Sequence, residues 1–181
     1  MAKKLIISMG LDLSLVGTGV VVLENGTVSE QRLIKSKPVG DRPTDELIRI
    51  RKIVNQIKET VDEYRPMVAV IENLAFMARN TTALTQLAGL NYFTRAMVTD
   101  FGIPFYLVAP TSLKKFITGN GTAKKDVMML EVYKRYGVSI LDDNVADAYS
   151  LAQVGLALIG GNSKQITKLQ QEVLDLLTKQ K

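Results

Sequence analysis

Four acidic residues stand where acids are costly. Asp12 closes the apolar run Leu5-Ile6-Ile7-Ser8-Met9-Gly10-Leu11, and Glu72 closes Met67-Val68-Ala69-Val70-Ile71. A carboxylate at the end of a buried strand is expensive to desolvate unless a partner or a metal neutralises it. Asp143 and Asp147, within Asp142-Asp143-Asn144-Val145-Ala146-Asp147-Ala148, share one face near the start of a helix. Small Ala146 and Ala148 let that helix approach a sheet closely. Ligand sites in open α/β sheets lie outside the carboxyl ends of parallel strands, so Asp12 and Glu72 project from one edge if their strands are neighbours. Hard oxygens converging without His or Cys suit Mg²⁺ or Mn²⁺. Two such ions about 3.5–4 Å apart activate water and stabilise the leaving oxygen in phosphodiester hydrolysis. Taken singly, each acid has a plainer reading: Asp143 as a natural N-cap, Asp142 as a complement to the helix dipole, Glu72 as partner of an internal lysine. The joint pattern favours the metal.

Composition narrows the chemistry. The 181 residues include no His and no Cys. That excludes Ser-His-Asp triads, thiol nucleophiles, zinc fingers and disulfides. Carboxylates, hydroxyls, lysines and a hard metal remain. Net charge is +5, which favours a polyanion partner only mildly. The chain is long enough for one domain with a sizeable core. Lys3 and Lys4 before Leu5–Leu11 imitate a secretory signal, but Asp12 breaks the run, and no apolar run reaches the ~18 residues of a membrane span. The expectation is a soluble cytoplasmic protein with no membrane partner.

The elements that must hold the acids follow from pattern. Leu5–Asp12 reads as a strand buried on both faces, Gly17-Thr18-Gly19 as a tight turn or bulge, and Val20–Glu24 as a second strand. Asn25-Gly26 turns it into a third, Val28–Ser36. Thr44 is placed to cap a helix whose stripe is Leu47, Ile50, Val54, Ile57, Val61 and Tyr64. Met67–Ile71 is a strand that delivers Glu72. A helix follows from Asn80 or Thr81 to Asp100, then a strand Phe105–Val108 and helices over Thr111–Ile117, Ala123–Tyr136 and Asp142–Ile159. Gly160-Gly161-Asn162-Ser163 is a hinge before an amphipathic helix carrying Ile166, Leu169, Val173, Leu176 and Leu177. The fold class is α/β, a mixed five-stranded sheet of three antiparallel strands and then parallel ones, flanked by helices. Residues 1–160 form the main domain and 161–181 the appended helix.

From Thr111 to Gly137 six basic residues face two acidic ones, a net of +4: Lys114, Lys115, Lys124, Lys125, Lys134 and Arg135 against Asp126 and Glu131. Most basic runs are solvated helix faces. Here the proximity in sequence to the last acids favours phosphate contact, with Lys125 and Lys114 nearest the phosphate and Lys134 and Arg135 on plain surface. Gly119-Asn120-Gly121 is a flexible loop or a close backbone approach to phosphate.

Gly10-Leu11-Asp12-Leu13-Ser14 with Thr18-Gly19, Val70-Ile71-Glu72-Asn73 and Asp143-Asn144-Val145-Ala146-Asp147-Ala148 together resemble the RuvC family of Holliday junction resolvases, of the ribonuclease H-like superfold. Phe76-Met77-Ala78-Arg79-Asn80, Gly119–Lys125 and the Lys114/Lys125 spacing agree, and the likeness covers residues 5 to 159. The resemblance implies metal-dependent nicking of branched DNA, four-way junctions above all, by a homodimer that makes one cut per subunit. By match to motif Asp12, Glu72 and Asp147 carry over as metal ligands. The family places an acid or histidine three residues before the final aspartate, where this chain has Asn144. Either Asp143, a full turn from Asp147, takes the role, or Asn144 coordinates through its amide oxygen; of the two, Asp143 is the expected catalytic acid. Phe76 lies one residue further from the glutamate than the family's junction-inserting aromatic; it is a core residue or an exposed wedge on a base, with Arg79 beside it on DNA. Lys114, Lys115, Lys124 and Lys125 complete the expected DNA contacts.

Two other readings compete. Asp12-Leu13-Ser14 faintly resembles the phosphate loop of actin-like ATPases, but the chain is too short for their two lobes. Asn144 in place of an acid suggests a catalytically inactive junction-binding protein on the same fold. The dimer is expected on the Asn80–Asp100 helix through Leu84, Leu87, Leu90, Tyr92, Phe93 and Met97, with the last helix extending it or folding back on its own domain. The absence of His points to a divergent bacterial or phage-encoded protein, acting in the cytoplasm of a bacterial cell or an infected host.

Overall fold

The computed structural model describes residues 5–74, 81–161 and 164–180. Asn25 and Gly26 have φ of 50° and 88°, the mirror-image turn that Asn-Gly favours. They join β2 (Gly17–Glu24) to β3 (Thr27–Lys35) as an antiparallel hairpin. β1 (Ile7–Asp12) pairs antiparallel with β2 and parallel with β4 (Val68–Glu72). β5 (Phe105–Val108) adds parallel to β4, so the sheet order is β3-β2-β1-β4-β5. The helices are α1 (Pro43–Tyr64), α2 (Thr81–Asp100), α3 (Pro110–Thr118), α4 (Lys125–Tyr136), α5 (Asp143–Leu158) and α6 (Lys168–Thr178). This is the mixed five-stranded sheet expected from the sequence. Among the described residues no helix is long and apolar enough to cross a membrane.

Side chains alternate across the sheet. Met9, Leu11, Val20, Val22 and Ile71 pack under α1 and α2 with Ile50, Ile53, Ile57 and Leu90. Val21, Leu23 and Val70 pack with α3, α4, α5 and α6. On β1 the face towards α5 is Ser8, Gly10, Asp12. The Ser8 hydroxyl donates to the Ala152 carbonyl at 2.8 Å. A Cβ on Gly10 would lie 1.9 Å from the Ala148 carbonyl oxygen, and one on Gly19 2.1 Å from that of Asn144. The α5 backbone therefore lies directly on the sheet, and Asp12, next on the same face, meets the helix at its acidic end.

Several local readings are corrected by tertiary context. Gly17-Thr18-Gly19 is strand, not turn, because α5 needs a flat glycine surface there. The reversal lies earlier, where the Ser14 hydroxyl accepts from the Val16 and Gly17 amides and Thr18 bonds the Ser14 backbone. The N-cap of α1 is Arg42, not Thr44: Pro43 fills N1, where no N–H is needed, and the Asp45 carboxylate accepts from both the amide and the guanidinium of Arg42. Of the expected stripe Ile50, Val54, Ile57 and Val61 are buried, but Leu47, in the first turn, is exposed, while Ile53 and Arg49 are buried as well. Asp142, not Asp143, caps α5, accepting from the Asn144 and Val145 amides at 3.0 and 3.1 Å. Helix α6 folds back on its own domain through Val173, Leu174 and Leu177, with Leu176 outside.

Candidate metal centre

Three elements deliver the acids. β1 ends in Asp12 and β4 in Glu72; the register Leu11↔Ile71, continued by one residue, sets them side by side. The N-terminal end of α5 brings Asn144 and Asp147 to the same recess. Together with Lys114 from α3 and Lys125 from α4, these four line a cavity of about 280 Å³ walled by Pro110, Leu113 and Met128. The apolar wall residues carried no sequence signal of their own.

The electrostatics are those of crowded anions in a dry recess. Burial pushes the Asp12 carboxyl up to about 8, with the charges of Glu72 and Asp147 adding to it and Lys125 opposing. Burial likewise raises Glu72 to about 7, with Asp147 adding and both lysines opposing. Asp147 is raised by burial against the pull of Lys125. Partial burial works against the Lys125 ammonium, yet Asp147 and Asp143 outweigh it and hold its value up. Its Nζ lies 3.4 Å from an Asp147 oxygen and 3.6 Å from one of Asp143. Among the described residues no three acids close on a common point as a finished ligand cage. The ammonium stands where anionic oxygens call for a cation, and the all-oxygen donor set fits a hard divalent ion.

The other expected contacts disperse. Asp143 is half exposed and reaches the site only through Lys125, whereas Asn144 lines the cavity. Lys124 is exposed at the N-cap of α4, and Lys115 pairs with Glu172 of α6 at 2.7 Å. Phe76 and Arg79 lie outside the described residues. Gly119–Thr122 is tied down rather than loose: the Asn120 side chain accepts from the Thr122 amide at 3.0 Å. One supporting residue went unread in the sequence. Arg49, 8% exposed, donates to the Leu15 carbonyl at 2.6 Å and the Ser36 hydroxyl at 3.0 Å, pinning the loop that follows Asp12. Its charge reads as polar helix surface in the sequence, and only its distant partners Leu15 and Ser36 draw it inside.

The profile of the family described as crossover junction endodeoxyribonuclease RuvC matches residues 8–155. The chain belongs to the RuvC family. Among curated RuvC proteins, that of Brachyspira hyodysenteriae is 36% identical over 104 residues, spanning 58% of this chain and 64% of its own length. That of Prochlorococcus marinus is 26% identical over 153 residues, spanning 81% of this chain and 96% of its own. The Thermus thermophilus RuvC structure in complex with a Holliday junction substrate superposes with a TM-score of 0.71 at 18% identity, covering 86% of this chain and 97% of that one. The yeast mitochondrial Holliday junction resolvase Ydc2 superposes at 0.58 with 12% identity, covering 93% and 80%. At these identities the two structures speak for the fold, and they give the ribonuclease H-like RuvC architecture that the sequence led one to expect.

Proposed function

We propose that this RuvC-family chain is a divalent-metal-dependent endonuclease that nicks four-way junctions and other branched DNA. The observation that carries the reading is the meeting of Asp12, Glu72 and Asp147 in one recess with two lysines at its rim. Asp12, Glu72, Asp147 and the amide oxygen of Asn144 would hold Mg²⁺ or Mn²⁺, which supplies an activated water and neutralises charge on the scissile phosphate. Lys125 and Lys114 face that phosphate. Lys124 and Lys115 extend the DNA contact outwards, and Phe76 and Arg79 are proposed as further DNA contacts. The deciding experiment is nicking of a synthetic four-way junction with Mg²⁺, with Mn²⁺ and with EDTA, the cuts mapped on each strand. Metal-dependent nicks support the nuclease; binding without cleavage in either metal assigns the chain to junction binding alone.

Lys125→Ala is expected to lower the cleavage rate by about 10²-fold, because a fixed positive charge beside the phosphate stabilises the transition state. Lys134→Ala should change it little, since Lys134 pairs with Glu131 on the surface. Removing the Lys125 ammonium should also tighten metal binding, measured by calorimetry, because Asp147 loses its resident cation. Equal, purely binding-type losses at both lysines would remove Lys125 from the chemistry.

For the remaining ligand, Asn144→Ala should cost more cleavage than Asp143→Asn, as Asn144 lines the recess and Asp143 stands outside it. The reverse order in a single-turnover assay would give the role to Asp143.

A four-way junction is approximately two-fold symmetric, and a C₂ dimer matches it with one site per subunit. α2 supports such an interface: Tyr92 and Phe93 are 64% and 41% exposed, while Leu90 and Met97 anchor the helix inside. Sedimentation should give a dimer at micromolar concentration, and Tyr92→Arg should shift it to monomer; a wild-type monomer on junction DNA would refute paired nicking. The proposed location is the cytoplasm of a bacterial cell or a phage-infected host, and the proposed working unit is a nuclease domain over 1–160 with 161–181 appended.

A further inference from the structure

β5 is an edge strand. The Ala69 amide donates to the Pro104 carbonyl and the Asn73 amide to that of Val108, so the peptide groups of 104, 106 and 108 face β4. Those of Phe105 and Leu107 face outward. At Leu107 both outward groups are taken by one side chain: its amide donates to Gln180 Oε1 at 3.1 Å, and Gln180 Nε2 donates back to its carbonyl at 2.9 Å. A primary amide offers one donor side and one acceptor side, the same pair a peptide unit offers. At Phe105 no partner is found among the described residues. Alongside runs a groove of about 870 Å³ bordered by Thr99, Ile103, Phe105, Leu107 and Gln180, and none of its lining residues among those described is charged.

We propose that this edge is a docking site for an extended, uncharged segment of another polypeptide, which adds as a short strand beside β5 and displaces Gln180. Three features select that occupant. The outward peptide groups at Phe105 and Leu107 alternate as a strand's do, the first without a partner among the described residues and the second held by Gln180, and strand addition satisfies both once Gln180 is displaced. Gln180 already occupies one peptide position, a built-in stand-in that keeps the edge from pairing indiscriminately. Apolar Ile103, Phe105 and Leu107 along the groove suit an uncharged strand, and the described lining offers no cation to a phosphate. The partner is therefore read as a strand with apolar side chains at alternate positions, and the reading stands apart from the nuclease assignment.

The test uses the full chain and a displayed library of short random peptides. Selection is expected to enrich sequences with alternating β-branched or aromatic residues. The chosen peptide should slow hydrogen exchange at the Phe105 and Leu107 amides, followed by amide-resolved NMR. Methylating its own backbone nitrogens should abolish binding without touching the protein's fold. Gln180→Ala should tighten the peptide by roughly threefold to tenfold, the worth of the competing hydrogen bonds. Failure to enrich any peptide on either the wild type or Gln180→Ala, even with faster edge exchange in the variant, would reduce Gln180 to an edge guard and overturn the proposal. So would binding that leaves both amides unprotected, or displacement of the peptide by junction DNA.

Discussion

Asp12→Asn is expected to lower cleavage of a four-way junction by at least about 10³-fold while leaving junction binding intact, and Glu72→Gln and Asp147→Asn should do the same. Each substitution keeps shape and removes one anionic oxygen from a recess that holds three acids. On the proposed assignment a bound divalent ion would lose a ligand, and with it the means to make a nucleophile from water at neutral pH. Binding should hold or improve, because the recess then repels phosphate less. Strand-resolved cleavage and gel-shift titrations of the same preparations separate the two effects. Full activity in any one of the three variants would remove that residue from the metal site.

The same substitution should stabilise the metal-free protein. Asp12 and Glu72 are held at about 8 and about 7, above the ordinary carboxylate range near 4. The folded chain thus keeps protons that the unfolded chain releases, so this contribution is complete below the ordinary range and is lost as pH rises through 7 to 8. Metal-free wild type should therefore melt at progressively lower temperature from about pH 5 to pH 8. Asp12→Asn should flatten that slope, and added Mn²⁺ should reverse it in the wild type alone. Asp45 and Glu172, both lowered by cationic partners, act in the opposite sense but only in acid. A wild-type melting temperature that rises over this window without metal would contradict the crowded-acid picture.

What the sequence disclosed divides along a physical line. Features set by the chain's own neighbours were legible: the Asn25-Gly26 turn, the apolar runs, and the acids that end them. Features set by a distant partner were not. Gly17 and Gly19 read as turn residues because glycine usually serves conformational freedom, yet their use here is to admit the Asn144 backbone and side chain. Arg49 reads as surface until Leu15 and Ser36 are seen around it. Lys115 adjoins Lys114 in sequence, but it points elsewhere on α3 and pairs with Glu172 of α6 while Lys114 lines the recess. Asp143 and Asn144 are adjacent, and the seating of α5 on the sheet, with Asn144 against Gly17 and Gly19, turns Asn144 and not Asp143 to the recess.

Gly10→Ala offers the sharpest test of that long-range positioning. Its Cβ would lie 1.9 Å from the Ala148 carbonyl oxygen and 2.4 Å from the Ala152 amide nitrogen, both backbone atoms that no rotamer change can move. Restoring contact distance requires α5 to retreat from β1 by more than an ångström. Overpacking of this kind costs about 1–3 kcal/mol or more, roughly 2–4 °C of melting temperature per kcal/mol in a domain of this size. The chemical effect should be larger than the thermal one. Asp147 and Asn144 ride on α5, whereas Asp12 and Glu72 stay with the sheet, so the retreat opens the ligand set, and a 1 Å misplacement costs about 10²-fold in rate. Gly102→Ala is the control: its φ of 68° makes alanine strained, but a Cβ there meets nothing within 4 Å. It should lose about 1–2 kcal/mol of stability and retain cleavage. Calorimetric metal titration of both variants, below their melting temperatures, should give weakened binding in Gly10→Ala and unchanged binding in Gly102→Ala. Equal cleavage in the two at equal folded fraction would mean that the close contact of α5 with β1 serves the core and not the metal centre.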